Sequence, residues 1–152
     1  MACSSILFVC LGNICRSPLA EGIAKHYVQK GGLEIVIQSR GTGAYHVGEA
    51  PCANSQQVAW QNGIDISDQR ARQICQADFT DFDIIVGLDD NNVADLKSMS
   101  DTKIHKLGDF GYNGACVPDP YFFSGFDGFE KVFSMIDSCV KELLHDKTGQ
   151  TL

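Results

Sequence analysis

Residues 6–18, Ile-Leu-Phe-Val-Cys-Leu-Gly-Asn-Ile-Cys-Arg-Ser-Pro, leave this chain little choice of local structure. The four apolar residues 6–9 suit a strand buried on both faces. Ser17 and Pro18 then pair a helix-capping residue with the one residue pre-set for a first helical turn. Cys10 and Arg16 lie between, separated by five residues. A strand that runs through a short loop into a helix N-terminus gathers several backbone N–H groups around one small volume. Such a volume is an anion site before any side chain is counted.

The side chains add reactivity. Cys10 falls where the strand stops, so its sulfur faces the centre of the cradle, where the helix end and Arg16 both favour thiolate over thiol. Arg16 offers a planar fork that binds two oxygens of a phosphate or arsenate together. Gly12 lets the backbone approach a ligand or take positive φ. Asn13 tolerates the left-handed region and can tie the loop to its neighbours through its amide. A thiolate beneath a bound tetrahedral oxyanion is placed for attack at phosphorus.

Composition narrows the class. At 152 residues and 44% hydrophobic, the chain is about one domain long and can bury a core, so residues 1–152 are expected to form a single domain. No apolar run approaches the ~20 residues of a membrane span. The first residues lack a basic segment followed by a long apolar one, which points to a cytoplasmic protein. Seven cysteines make an odd count without a C-x-x-C pair, and His26, His46, His105 and His145 show no ligand spacing. Reduced thiols, no metal and no cofactor are expected. A net charge of −7 argues against nucleic acid as a partner and confines phosphate attraction to the loop.

Along the chain, strands and helices alternate without repeats or linkers. Residues 17–30 read as a helix with Leu19, Ala20, Ile23, Ala24, Tyr27 and Val28 on one face, stopped by Gly31 and Gly32. Glu21 sits one place too late for a strict capping box but favours the positive helix end. Residues 33–39 supply a second strand, and residues 40–50 a glycine-rich loop whose Gly41-Thr42-Gly43 does not complete a dinucleotide fingerprint. Residues 51–62 form a helix before Gly63, with Val58, Ala59 and Trp60 available for packing. Residues 64–76 read as an extended connection leading into a short helix. Residues 83–88, 89–99 and 103–107 give strand, helix and strand. Residues 108–124 are irregular, and a loop of that length is often functional. Residues 125–145 close with an amphipathic helix whose inner stripe is Phe126, Phe129, Val132, Phe133, Ile136, Val140, Leu143 and Leu144. Four strands separated by helices imply a parallel sheet covered on both faces by right-handed crossovers.

The run Val9-Cys10-Leu11-Gly12-Asn13-Ile14-Cys15-Arg16-Ser17-Pro18 resembles the signature loop of the low-molecular-weight protein tyrosine phosphatases. The resemblance extends over nearly the whole chain. It implies a three-layer α/β/α fold with a four-stranded parallel sheet of order 2-1-3-4 and the phosphate loop after the first strand. It also implies hydrolysis of phosphotyrosine and aryl phosphates through a cysteinyl-phosphate on Cys10. Phosphate would lie among residues Cys10, Leu11, Gly12, Asn13, Ile14, Cys15, Arg16 and Ser17, with inorganic phosphate as product.

Asp119 sits in Val117-Pro118-Asp119-Pro120-Tyr121, where two prolines fix the direction of its carboxyl. Its residue type alone fits a turn aspartate as well as a proton donor. The resemblance makes Asp119 the general acid, which then activates water against the phosphocysteine. By the same likeness Ser17 hydrogen-bonds the thiolate, and Asn13 and Ser39 support the loop. The family's usual histidine in that network is replaced by Gln69 or a neighbour.

Tyr45 and Tyr121 fall where the family has aromatic walls for a phosphotyrosine ring. Phe122 stands where a second tyrosine is common, so a paired phosphorylation site is lost. Asp89 and Asp90 follow the third strand; they either line the pocket entrance and disfavour acidic peptides, or cap a helix. Cys15 is, in the family, the reversible disulfide partner of the nucleophile; a buried thiol chosen for size is the alternative. Partners are phosphotyrosine proteins or peptides, and the chain is expected as a monomer, with a weak dimer as the other option.

Two other functions compete. Arsenate reductase chemistry on this fold needs close relay cysteines after the third strand, whereas Cys116 and Cys139 there are widely separated and Asp119 would be idle. A non-catalytic phosphoprotein-binding module would leave Cys10 and Asp119 without a task.

Overall fold

Every residue of β1 (Ser5–Cys10) is buried, and strand alternation divides its side chains between two cores. In this computed structural model, which describes residues 3–123 and 125–149, Ile6, Phe8 and Cys10 pack with α1 (Arg16–Lys30), α2 (Ala53–Gln61) and α5 (Asp127–Thr148). Leu7 and Val9 face the opposite core, with Phe79 of α3 (Gln76–Asp81) and Leu96 of α4 (Asp90–Met99). The remaining strands are β2 (Val36–Gly41), β3 (Ile84–Gly87) and β4 (Ile104–Lys106). All pairs are parallel and the order is β2-β1-β3-β4, as expected. The register places Cys10 beside Gly41 and Val9 beside Gly87. Three strand ends therefore converge under the loop, the edge at which open α/β sheets bind ligands.

The longest helix shows why the layers hold together. Phe129, Val132, Phe133, Ile136, Val140, Leu143 and Leu144 of α5 are all buried, each contributing about 1.5–3 kcal/mol of apolar burial. Phe126 is only partly buried and lies at the helix N-cap. The helix runs Asp127–Thr148 and not 125–145, ending at Gly149 in the left-handed conformation, φ 75°.

Three local expectations need correction. Helix α1 starts at Arg16 with Cys15 as its N-cap, so Ser17 lies inside the first turn and caps nothing. Its hydroxyl is turned inward instead. The second strand begins at Val36, not Leu33. Leu33 is still engaged by helix α1, its N–H bonding the Val28 carbonyl at 2.9 Å, and strand pairing with β1 instead carries β2 on to Gly41. Trp60 is not part of the core: it is 70% exposed on α2 while Val58 and Ala59 face inward.

The irregular segment after β4 holds two single-turn 3₁₀ helices, Leu107–Asp109 and Pro120–Phe122. Its expected last residue, Ser124, and the side chain of Phe122 lie outside the described residues. No helix among the described residues is long and apolar enough to cross a membrane.

Candidate active site

The loop between β1 and α1 is held from below by a directional chain of hydrogen bonds. Asn13 takes φ 56° and sends its amide inward. Its Nδ2 donates to Ser17 Oγ at 2.7 Å and to Ser39 Oγ at 2.9 Å, while its Oδ1 accepts from Arg72 N at 3.0 Å. Ser17 Oγ is thus an acceptor from Asn13, which leaves its proton for Cys10 Sγ, 3.0 Å away. Ser39 passes its own proton to Glu21 Oε1 at 2.7 Å, and Lys25 Nζ holds the other carboxylate oxygen at 2.6 Å. Asn13, Ser17, Glu21 and Ser39 are all buried, so these bonds form where solvent does not compete.

Gln69 lies outside this chain. Its Nε2 donates to the Pro18 carbonyl at 3.1 Å, in the first turn of α1, and its buried Oε1 has no hydrogen-bond partner among the described residues. Gly12 is not in the left-handed region; a Cβ there would come within 3.0 Å of His46 Cδ2, so close approach is what this position requires.

Arg16 is fixed from the opposite side. Its Nη1 donates to Asp89 Oδ2 at 2.7 Å and to the Val117 carbonyl at 3.0 Å. Asp89 Oδ1 meanwhile accepts from Asn92 N at 2.7 Å and caps α4. One carboxylate therefore closes a helix and aims a guanidinium, whose remaining fork faces the cavity that Arg16 helps to line.

That cavity, about 210 Å³, brings together Cys10, Leu11, Gly12, Ile14, Cys15 and Arg16 with Tyr45, His46, Asp119 and Tyr121. Asp119 Oδ1 accepts from Tyr121 N at 3.0 Å and caps the Pro120–Phe122 turn, leaving Oδ2 for the cavity. Tyr121 is 64% exposed and rests edge-on against Phe129, ring centroids 5.3 Å apart; Tyr45 is 76% exposed on the other rim. Burial, with the thiols of Cys52 and Cys15 nearby, pushes the Tyr121 phenol up to about 12.

Asp90 is not brought to this cavity. It pairs with Lys106 at 2.8 Å and lines a neighbouring groove that shares Leu11, Arg16 and Asp119. Cys15 does line the cavity with Cys10, yet its Sγ contacts Cys52 Sγ at 2.7 Å.

The sequence assigned no part in or beside the site to three residues, Glu21, His46 and Cys52, the last of which touches Cys15 without lining the cavity. Asp89, read either as lining the pocket entrance or as capping a helix, does cap α4, and its pairing with Arg16 is what the sequence did not carry. Glu21 is one turn beyond Ser17 on the buried side of α1, which its charge concealed. His46 and Cys52 come from the glycine-rich loop and the start of α2, and no spacing in the sequence connects them to Cys10.

The arrangement supplies a sulfur nucleophile on the floor, amides and a guanidinium around it, and a carboxyl on the rim. It fits displacement at a tetrahedral anion with protonation of the departing oxygen.

Comparison with known proteins agrees. The sequence profile of the family described as "Low molecular weight phosphotyrosine protein phosphatase" matches residues 5–151. The low molecular weight protein-tyrosine-phosphatase YfkJ of Bacillus subtilis is 40% identical over 148 residues, covering 92% of this chain and 93% of that one. A low molecular weight phosphotyrosine protein phosphatase of Schizosaccharomyces pombe is 41% identical over 133 residues, covering 82% and 84%. Among solved structures, a protein tyrosine phosphatase of Entamoeba histolytica with Hepes in its active site superposes with a TM-score of 0.88 at 33% identity, covering 96% and 98%.

Proposed function

This chain belongs to the low-molecular-weight phosphotyrosine protein phosphatase family and is a hydrolase of that family, and we propose that it cleaves phosphotyrosine in proteins with Cys10, Arg16 and Asp119 as its catalytic residues. Cys10 attacks phosphorus while Arg16 and the amides of the loop hold the equatorial oxygens. Asp119 protonates the departing phenoxide, then removes a proton from the water that hydrolyses the cysteinyl-phosphate. Ser17 donates to the sulfur and eases its departure in the second step. Leu11, Gly12, Asn13, Ile14 and Cys15 complete the cradle, and Tyr45 and Tyr121 flank the substrate ring.

The observation that carries this reading is the joint presence of Cys10, Arg16 and Asp119 on one 210 Å³ cavity. The same reading takes residues 1–152 as one domain that works in the cytoplasm as a monomer or weak dimer. It also takes Cys15 as the thiol that traps oxidised Cys10 as a reversible disulfide, which makes the enzyme redox-regulated.

Phosphate release from p-nitrophenyl phosphate and from a phosphotyrosine peptide, in EDTA, tests the assignment. Cys10→Ser binds but does not turn over. Asp119→Ala loses on the order of 10²–10⁴-fold, most for poor leaving groups. Turnover by Cys10→Ser comparable to the native protein would remove the reading.

A further inference from the structure

Helices α1 and α2 begin at the same place. Cys15 is the N-cap of α1 and Cys52 the N-cap of α2. Two backbone-directed bonds fasten these ends together: Cys52 N donates to the Ile14 carbonyl at 2.8 Å, and Ser55 Oγ donates to the Cys15 carbonyl at 3.1 Å. The two sulfurs meet at 2.7 Å, both half-buried, with the Tyr121 phenol against them. On its other side Cys15 lines the cavity with Cys10. Three thiols therefore stand in series, Cys10, Cys15 and Cys52, and Cys52 itself is not part of the cavity wall.

We propose that Cys52 is the final resolving thiol of this active site, taking the oxidising equivalents of a peroxide from Cys10 through Cys15 and returning Cys10 to its active form. The proposal rests on the reading of Cys15 as the disulfide partner of Cys10. The Cys10 thiolate attacks one oxygen of hydrogen peroxide and breaks the O–O bond, leaving Cys10 as sulfenic acid and releasing hydroxide, which takes up a proton to become water. The Cys15 sulfur attacks the Cys10 sulfur, hydroxide leaves and is protonated by the Cys15 proton, and a Cys10–Cys15 disulfide forms. The Cys52 thiolate then attacks the Cys15 sulfur, the Cys10–Cys15 bond breaks, and Cys10 departs as thiolate. In sum one peroxide becomes two waters, and Cys15 and Cys52 each give up one electron and one proton to form their disulfide. A small dithiol closes the cycle by reducing it.

The surroundings favour the last step. A thiolate is the attacking species. In the reduced protein the bond to the Cys15 S–H, with Ser55 alongside, pulls Cys52 down to about 6, and Ser55 still favours the thiolate once Cys15 has given up its proton to form the disulfide. The α2 N-terminus adds its positive end. Before the disulfide forms, Cys15 is the protonated member of the pair, pushed up chiefly by that same bond to Cys52, and its proton is the one the departing hydroxide takes.

The test uses the full chain, as wild type and as Cys52→Ser and Cys52→Ala, both of which keep the reduced activity because Cys52 lines no part of the cavity. Each is given one equivalent of hydrogen peroxide without thiol, followed by activity on p-nitrophenyl phosphate, and samples are blocked with N-ethylmaleimide for non-reducing tryptic mapping. Cys10 and Cys15 share the fragment 1–16, whereas Cys52 lies in 41–70, so the two disulfides are an internal loop and a cross-link, assigned by fragmentation. The expected result is that wild type recovers activity without added thiol while the cross-link appears. Both variants stall with the internal loop and recover only with dithiothreitol. Wild type stalling with the internal loop overturns the relay and leaves the Cys10–Cys15 reading standing. A wild-type cross-link with no internal loop in either variant also overturns it, since the pair then oxidises directly. No disulfide in any of the three overturns both the relay and the reading beneath it.

Discussion

Asp89 and Arg16 form an ion pair of 2.7 Å in which the side chains are only 19% and 11% exposed, and the second oxygen of Asp89 caps α4. The guanidinium over the Cys10 loop is therefore aimed by the end of the next strand. A charged pair this far from solvent costs more to break than a surface pair, because one partner is left desolvated and alone.

Asp89→Ala is expected to lose the α4 cap, about 1 kcal/mol, and to let Arg16 drift. Misplacement of a positioning group lowers kcat/KM on aryl phosphates by roughly ten- to a hundredfold and weakens competitive inhibition by inorganic phosphate. Asp89→Asn retains the cap but still breaks the pair, so it melts above Asp89→Ala and below native while the kinetic defect remains. Kinetics with phosphate inhibition and thermal melts on both variants check this.

Asn13 combines left-handed backbone with three side-chain hydrogen bonds. Asn13→Ala loses those bonds, about 1 kcal/mol each, and adds about 1 kcal/mol of backbone strain. At 2–4 °C per kcal/mol for a chain of this size, the melting temperature falls by roughly 8–16 °C. Asn13→Gly, which accepts this φ, recovers the strain component only. Calorimetry on the two variants separates the contributions.

A Cβ on Gly128 would stand 2.4 Å from the Pro120 carbonyl and 2.8 Å from Phe123 Cβ. Alanine is normally preferred over glycine in a helix by roughly 1 kcal/mol, yet here it must push the Asp119 turn away from α5. Gly128→Ala is expected to lower kcat more than it raises the inhibition constant of phosphate, with the largest loss on alkyl and phenyl phosphates that need the acid. Equal kcat on good and poor leaving groups would separate Gly128 from the acid loop.

The Cys52 thiol is held near 6, so it is protonated below that pH and thiolate above it. In a Cys10→Ser background, iodoacetamide labelling of Cys52 should rise through about pH 6 and then level off. Cys139 is fully buried and pushed up by that burial to about 11, so it should resist labelling until the protein unfolds. Mass mapping of the alkylated protein across pH 5–9 measures both.

Much of this molecule is written in local patterns. Residues 6–9 are a strand because they are apolar throughout, and Asn13 occupies the left-handed position because its amide tolerates it. The stripe on α5 follows the helical period. What local patterns did not carry is anything set by one element meeting another. Ser17 looked like a cap because its type suits one, but the deeper demand of the Cys10 sulfur and the Asn13 amide turned its hydroxyl inward. Trp60 looked like core, yet α2 is only nine residues long and buries its other face. The strand order came from resemblance, since alternation alone does not distinguish one doubly covered sheet from another. The meeting of Cys15 with Cys52 depends on two helix starts facing each other across 37 residues, and no spacing rule encodes that.

The account depends most on where phosphorus goes. Rapid acid quenching of Asp119→Ala during turnover of ³²P-labelled aryl phosphate, followed by peptide mapping, reads it directly. Label on Cys10 in fragment 1–16, absent from Cys10→Ser, is the predicted result. Label on any other residue, or steady turnover by Cys10→Ser, would contradict it.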